Sequence, residues 1–462
     1  MKNPFVPSAA ARACSVALLA LAQVGCASFS PDGGFGKVAE LTRQRTGQTA
    51  SWQRSPADVD AAQARVAELL AQPLNADRAV ELALLNNRGL QASFAELGIA
   101  ESELVRVGRL PNPSLAFAHL RGGGVTEIDR SMLFNVLALL TLPAAHEVEQ
   151  QRFEQTQYQA ALDAVQVAAQ ARRAFYSAVA AGELATYAVQ VKDAADASGE
   201  LARRMLQAGN FNRLAQLRQQ AFQADASAQL VRAQHQAVVE RERLTRLLGL
   251  QGDQLKFRLP ERLPDLPDAP AEAQDAEQAA LDQRLDVLIA KRSAQATAQQ
   301  LGLTNATRFV NVLELGYANK SQTGEAGRSG YQIELELPLF DFGSVRNARA
   351  EAVYMRSVQH AAEVAINARS QVRESYAAYR SSYELARHCR DEVLPLRKRI
   401  SDENLLRYNG MLIGVFELLA DAREQVASVT TCVEALRDHW LAQSQLQAAL
   451  TGGDTEPSKA SR

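Results

Sequence analysis

The chain has 462 residues, a formal charge of −2 at pH 7 and only 6% aromatic residues. This near balance of charge gives no support for a nucleic acid or a general membrane surface as a partner. A composition poor in aromatic residues, with a middle rich in alanine and glutamine, favours long helices over thick hydrophobic cores.

The N-terminus has the parts of a secretion signal. A basic start is followed by an apolar run at 16–22, which is too short to span a bilayer, and then by Val24-Gly25-Cys26. These three residues resemble a bacterial lipobox, so we predict a signal peptide at 1–25 and lipidation of Cys26. The alternative is a signal peptide cut near Ala27, with Cys26 discarded. No other apolar run approaches the roughly 18 residues of a transmembrane helix.

The chain then divides into two similar halves. Residues 26–74 are predicted to form an N-terminal strap and a short helix, before a first repeat at 75–250. The predicted elements of this repeat are a helix, strands at 112–120 and 131–142, a long helix at 144–206 and a return helix at 213–248. Pro143 is expected to end the second strand, because proline cannot donate to a strand ladder.

A proline-rich linker at 251–270 separates the halves, and the same order recurs in a second repeat at 271–452. The predicted elements there are a helix, strands at 307–319 and 330–337, a long helix at 344–407 and a return helix at 413–450. Residues 453–462 are predicted to be a disordered tail. The recurrence of proline and glycine landmarks at near-equal spacing indicates a tandem duplication.

The last predicted strand alternates strictly between apolar and polar residues. One side carries Tyr331, Ile333, Leu335 and Leu337, and the other carries Gln332, Glu334 and Glu336. We expect the apolar side to face lipid, and Glu334 and Glu336 to line the lumen of a barrel. A soluble sandwich with outward glutamates is the alternative.

Small residues recur every 3.5 positions along both long helices, which indicates coiled-coil packing; an isolated coiled-coil hairpin is the alternative. Four strands cannot close a barrel, for which about eight is the minimum. The predicted fold is therefore mixed α and β and internally duplicated. Each chain contributes four strands to a trimeric 12-stranded transmembrane β-barrel, which a long periplasmic α-helical barrel continues.

Three motifs carry a resemblance to a known family. They are Leu337-Pro338-Leu339-Phe340-Asp341-Phe342-Gly343, Arg407-Tyr408-Asn409-Gly410 and the stretch from Phe416 to Arg423. With the duplicated order of elements, residues 75–452 resemble the TolC-type outer-membrane efflux proteins. The resemblance implies the homotrimeric outer-membrane exit duct of a tripartite efflux or export system, conducting substrates passively from the periplasm to the exterior. Its implied partners are outer-membrane lipid, a periplasmic adaptor and an inner-membrane pump.

The resemblance also implies two sets of site residues. The helix tips would contact the adaptor, through Gly209, Asn210, Phe211, Asn409, Gly410 and Met411. The alternative for Gly209 and Gly410 is that they cap helices in a left-handed conformation. Glu417 and Asp421, one helical turn apart, are candidates for acidic rings that constrict the pore. Their alternative is a solvated helix face, or pairing with Arg423 or Arg407.

Cys389 and Cys432 lie at similar distances on either side of the tip at Gly410, so antiparallel helices would bring them to one level. We consider a disulfide between them, with two buried free thiols as the alternative.

An enzyme is not supported, because the six histidines have no ligand spacing and no phosphate-binding loop is present. We therefore predict no catalytic residues, no cofactor and no metal site. The main alternative to a duct is a lipid-anchored periplasmic coiled-coil scaffold or adaptor without its own pore. The exported cargo is not encoded in any recognisable motif.

Overall fold

The computed structural model describes residues 28–209, 212–272, 276–310, 312–336 and 340–452. The predictions for the signal peptide, Cys26, Asn210, Phe211 and the tail lie outside these ranges. Within them, every helix is too short or too polar to cross a membrane.

Helices dominate both halves, and each half contributes one pair of strands. The first half contains α1 Phe35–Thr46, α2 Pro56–Leu70, α3 Ala76–Asn86, α4 Arg88–Val107, β1 Ser114–Gly122, β2 Val125–Asn135, α5 Val136–Gln207 and α6 Arg213–Leu248. The second half contains α7 Ala276–Gln283, α8 Leu285–Ala306, β3 Leu313–Gln322, β4 Arg328–Leu335, α9 Ser344–His388, α10 Leu394–Asn409 and α11 Val415–Thr451. A single π-helical turn, Cys389–Val393, joins α9 to α10. The mixed, mostly helical fold with four strands is confirmed.

The prediction of a strand at 131–142 that ends at Pro143 is wrong. The strand ends at Asn135, whose Oδ1 accepts a hydrogen bond of 2.7 Å from the N–H of Ala138 and so caps α5. The apolar residues that follow do not alternate, and they form the first turns of this helix. Pro143 therefore lies inside α5, at the expense of one backbone hydrogen bond.

Several other boundaries also differ from the predictions. The strap contains the helix α1, whose N-terminal turn is held by Asp32 through the N–H groups of Gly34 and Gly36 at 3.1 and 2.8 Å. β3 begins at Leu313 instead of 307, because α8 continues to Ala306. The predicted long helix at 344–407 is interrupted by the π-helical turn, after which Pro395 occupies the first turn of α10, where its missing N–H is tolerated.

The single helices predicted at 75 and 271 are each broken, and the two breaks are equivalent. In the first half, the Asn86 and Asn87 amides donate to the carbonyls of Leu248 and Leu247 at 3.1 and 2.9 Å, at the end of α6. In the second half, the buried Arg284 guanidinium donates to the Ala449 carbonyl at 2.7 Å, near the end of α11. Side chains at each break thus satisfy carbonyl groups that a helix end leaves unpaired.

Each return helix also ends at a left-handed glycine. Gly249 has φ +65° and lies against Asn86, and Gly452 has φ +92° and lies against Leu285. Side chains at these positions would be strained by the backbone conformation and would overlap the neighbouring chain. The repeated halves therefore share an anchoring device as well as an order of elements.

The described chain divides into two compact units. One contains Ala95–Tyr158, Ile289–Glu363 and the residues up to Gly36, and it holds the four strands. The other contains Lys37–Phe94, Gln159–Leu288 and Val364 onward. Its main core includes Leu82, Phe175, Val179, Leu244 and Leu248.

A buried histidine lies among aromatic rings in the second unit. His439 is 0% exposed, and within the described residues neither ring nitrogen has a hydrogen-bond partner. The rings of Tyr379, Tyr383 and Trp440 lie 5.4, 5.6 and 5.4 Å from it. Burial lowers the pKa of His439, because the charged imidazolium would lose its hydration.

We expect His439→Leu to remove part of the pH dependence of stability. In the unfolded chain the imidazole of His439 takes up a proton near pH 6.5, whereas in the folded chain it stays neutral to a lower pH. Protonation therefore favours the unfolded chain, and wild-type stability falls as the pH drops below about 6.5. The denaturation midpoint of His439→Leu should therefore exceed that of wild type by a margin that grows between pH 7 and pH 5. His235→Gln, at an exposed position on α6, is the control. If the difference in denaturation midpoint between His439→Leu and wild type did not change with pH, the buried histidine would not be the source of the pH dependence.

Candidate functional site

The four strands form one antiparallel sheet in the order β1-β2-β3-β4. The pairing register defines an apolar face, on which lie Leu115, Phe117, Met132, Phe134, Leu313, Leu315, Tyr317, Tyr331, Ile333 and Leu335. These residues occupy the half of the face next to the helices. Arg130 and Asn319, which are hydrogen-bonded at 3.1 Å, lie on the same face nearer the hairpin ends.

No part of the described chain covers this apolar face. Leu115 is 78% exposed, Tyr331 83% and Ile333 60%. The patch continues onto the adjoining helices, where Leu140 is 69% exposed and Val345 70%. A contiguous apolar surface of this kind marks contact with another apolar phase or another chain.

The opposite face of the sheet carries four carboxylates, two basic side chains and otherwise small, polar and a few apolar residues. Lys320 forms ion pairs with Glu127 and with Asp129, the latter at 3.6 Å. Glu314 lies directly across from Glu334. Opposed like charges destabilise a strand pair unless water or ions screen them, so this face requires an aqueous environment.

Of the two predicted lumen residues, Glu334 lies on the polar face, opposite the side that Tyr331 and Ile333 occupy. Glu336 follows the end of β4, and its N–H donates to the Val312 carbonyl at 3.3 Å. Sequence reasoning missed Glu127 and Asp129, because it began β2 at 131. The alternation of acidic and apolar residues at 127–129 was the available signal.

Both outer strands of the sheet have an open edge. Within the described ranges, β1 pairs only with β2, and β4 pairs only with β3. Open edges carry unpaired N–H and C=O groups that readily accept a further strand. A further strand could therefore pair with the sheet at β1 and at β4.

The corner between β4 and α9 explains part of the family motif. Asp341 Oδ1 accepts hydrogen bonds from the N–H groups of Gly343 and Ser344 at 2.9 and 3.1 Å, which caps α9. Gly343 has φ +77°, and a Cβ there would lie 2.7 Å from the Arg308 carbonyl oxygen. Glycine is thus required both by the backbone conformation and by the close approach. Leu337, Pro338 and Leu339 lie outside the described residues.

The two predicted tips differ in their turn geometry. Gly209 is left-handed with φ +76°, in agreement with its reading as a helix cap, but Gly410 has φ −80°. At the second tip the left-handed residue is Met411, with φ +57°, directly after Asn409 and Gly410. Met411 is 93% exposed and Leu412 is 78% exposed. The second tip thus presents apolar side chains on a strained turn.

The structure separates the two candidate constriction residues by accessibility. Glu417 is exposed in the first turn of α11, whereas Asp421 is only 7% exposed and its Oδ2 has no hydrogen-bond partner among the described residues. Arg423 does not pair with either carboxylate. Its Nη2 donates to Gln219 Oε1 at 3.3 Å, and its guanidinium lies 4.4 Å from the Phe222 ring centre.

Cys389 and Cys432 are brought together, as their spacing predicted, but they are free thiols and the considered disulfide is not formed. Both are buried in one cluster with Ala435. Burial, with a smaller contribution from Cys389, raises the pKa of Cys432 to about 12. Because the thiolate is the reactive form, the burial that raises this pKa disfavours oxidation of Cys432.

We therefore expect both cysteines to be reduced in protein purified without reductant. Alkylation with iodoacetamide under denaturing conditions should label Cys389 and Cys432 fully, as judged by peptide mass spectrometry. The same alkylation of the folded protein should label neither, since both side chains are buried. A peptide pair linked through the two sulfurs would contradict the structure.

Comparison with solved structures places this geometry among known folds. The Campylobacter jejuni CmeC outer-membrane channel has 14% sequence identity and a TM-score of 0.71, and the match covers 82% of this chain and 86% of that one. The open state of the Neisseria gonorrhoeae MtrE outer-membrane channel has 17% identity and a TM-score of 0.68, with 81% and 88% covered. The fold is that of TolC-type outer-membrane channels.

The Vibrio cholerae outer-membrane protein VceC matches this fold as well, at 15% identity and a TM-score of 0.68, with 84% of this chain and 97% of that chain covered. No protein-family model and no curated protein sequence matches the chain. At these identities the channel fold is shared, whereas few individual residues are.

Proposed function

We propose that three copies of this chain form the outer-membrane exit duct of a tripartite efflux or export system. The observation that carries the proposal is the four-stranded sheet, which has one exposed face with an apolar half, an opposite face that carries four carboxylates, and two open edges. Three such sheets joined edge to edge would give twelve strands, with the apolar surfaces toward lipid and the carboxylate-bearing faces around water.

Strand length supports a membrane-spanning role for the sheet. β1, β2, β3 and β4 contain 9, 11, 10 and 8 residues. A tilted strand needs about 9–11 residues to cross a bilayer. The alternative scaffold without a pore would leave the apolar face in water, and nothing in the described chain covers that face.

The helical part would conduct cargo through the periplasm and meet its partners at the tips. We propose that a periplasmic adaptor contacts the turn at Asn409, Gly410 and Met411 and the turn at Gly209, and that an inner-membrane pump supplies the energy. The exposed Met411 and Leu412 would provide the apolar part of that contact. Lipidation of Cys26 would add a second attachment to the outer membrane.

Selection among ions would then depend on the exposed carboxylate near the tip. We assign the acidic ring to Glu417 and not to Asp421. Asp421 is buried within its own chain, so its carboxylate cannot face a pore that three chains enclose, whereas Glu417 is exposed. Three copies of Glu417 around one axis would favour cations over anions.

Conductance in planar lipid bilayers tests this function. Purified protein should produce discrete conductance steps with a preference for cations, read from the reversal potential in a salt gradient. Glu417→Gln should weaken that preference, whereas the matched variant Asp421→Asn should leave it unchanged. Protein that inserts into bilayers and gives no conductance would contradict a duct.

A further inference from the structure

A groove with a basic rim and an apolar wall lies in the unit that holds the strands. It encloses about 720 Å³ between the first turns of α5, the end of α8 and the first turns of α9. Leu137, Leu303 and Val353 contribute apolar surface, and Thr141 and Thr304 contribute hydroxyl groups. The cavity has the size of a small-molecule site.

Among the described residues that line this groove, three are arginines and none is acidic. Arg346 and Arg349 lie in the first two turns of α9, and Arg152 enters from α5. Arg152 is paired with Glu149 at 2.5 Å, and Arg346 donates to the Arg308 carbonyl at 3.2 Å. Among the described residues, no carboxylate forms an ion pair with Arg349. The groove therefore carries net positive charge and favours an anion.

The position of the groove relative to the apolar face of the sheet limits which molecules can occupy it. Leu137 is the second residue after the end of β2, so the groove adjoins the strand ends. Exposed apolar side chains surround this level, including Phe309 at 52%, Phe340 at 102% and Phe342 at 62%. If the strands span the bilayer as proposed above, this is the height of the lipid headgroups on the periplasmic side.

We propose that the groove binds an anionic phospholipid of the periplasmic leaflet, such as phosphatidylglycerol. The phosphate would accept hydrogen bonds from Arg346 and Arg349, and the upper part of one acyl chain would lie along Leu137 and Leu303. Guanidinium groups suit this role because they bind phosphate through two parallel hydrogen bonds. This proposal rests on the proposed membrane orientation.

A neighbouring copy of the chain is a poorer occupant. Although α9 follows the edge strand β4, along which copies are expected to join, the residues that line the groove come from α5, α8 and α9 and the segment after α8 of one chain. A protein surface that filled it would also need carboxylates to meet the arginines. A lipid supplies both the anion and the apolar chain.

Native mass spectrometry of the full-length protein in detergent tests the proposal. After delipidation, dioleoylphosphatidylglycerol should bind at least about tenfold more tightly than dioleoylphosphatidylcholine, since each charge-assisted contact is strong. Arg346→Gln/Arg349→Gln should remove this preference. Arg356→Gln/Arg369→Gln makes the same change of charge at exposed positions farther along α9 and should retain it.

The following outcomes would contradict binding of an anionic lipid in the groove. Equal binding of the two lipids by wild type, or an unchanged preference in Arg346→Gln/Arg349→Gln, would overturn it. Displacement of the lipid by millimolar inorganic phosphate would assign the groove to a free anion instead. Loss of the oligomer in the double variant would assign it to a contact between copies. If the double variant does not fold, the wild-type comparison and Arg349→Gln alone decide.

The bilayer measurement separates this proposal from the proposed function. Protein that conducts ions but does not distinguish the two lipids remains a duct without the lipid site. Protein that neither conducts nor distinguishes them loses both assignments.

Discussion

Ile333→Arg should prevent the chain from assembling in the outer membrane. Ile333 lies on the apolar face of β4 and is 60% exposed, so the substitution removes little packing within the chain itself. An arginine facing lipid costs about 2–4 kcal/mol at the bilayer midplane and less toward the interfaces, and three copies would multiply this cost. We expect the heat-resistant oligomer in outer-membrane fractions to be strongly depleted in a gel assay of unheated samples.

The adjacent residue supplies a matched control for this variant. Gln332 is also exposed, in the same strand, but it lies on the polar face with Glu334. Gln332→Arg adds the same side chain at the same height and should assemble at near wild-type levels, because its charge would face water. If the two variants assembled equally well, or failed equally, the two faces of the sheet would not have the environments assigned to them.

Gly249→Ala should destabilise the chain by about 3 kcal/mol or more. The residue has φ +65°, a conformation that costs a residue with a side chain roughly 1–2 kcal/mol. Its Cβ would also lie 2.4 Å from the Asn86 carbonyl oxygen, so the backbone there must move. That movement would disturb the bonds from Asn86 and Asn87 to the end of α6, which anchor the first repeat. The midpoint of denaturation in detergent is the measurement.

Two further glycines test whether the anchor explains this loss. Gly452→Ala, at the equivalent anchor of the second repeat, should also be destabilising, because its Cβ would lie 2.9 Å from the Leu285 nitrogen. Gly182→Ala lies in the interior of α5, where a Cβ meets nothing within 4 Å, and it should be neutral or stabilising by up to about 1 kcal/mol. A similar loss of stability in all three variants would contradict the anchor.

Local pattern was sufficient to predict those elements whose period is regular. The alternation from Tyr331 to Glu336 predicted the strand and both of its faces, because one side chain in two must meet water. The end of β2 was not predictable in the same way. It depends on one side-chain hydrogen bond, from the Ala138 N–H to Asn135, placed within a continuous apolar run.

Contacts between distant residues were beyond pattern reasoning. Spacing alone did not predict that Arg284 would bind the Ala449 carbonyl, which lies on a different helix. The burial of Asp421 depends on packing between helices, so its one-turn separation from Glu417 made the two carboxylates look alike. The groove at Arg346 and Arg349 likewise appears only when α5, α8 and α9 are assembled.

The mass of the complex extracted from outer membranes shows whether three copies of the chain enclose one pore together. Native mass spectrometry in mild detergent should give three times the mass of the denatured chain. A sheet with two open edges cannot enclose a pore until other copies supply the missing strands. A membrane-extracted protein with the mass of one chain, stable in that form and able to conduct ions, would show that a single chain encloses the pore and that no trimer is needed.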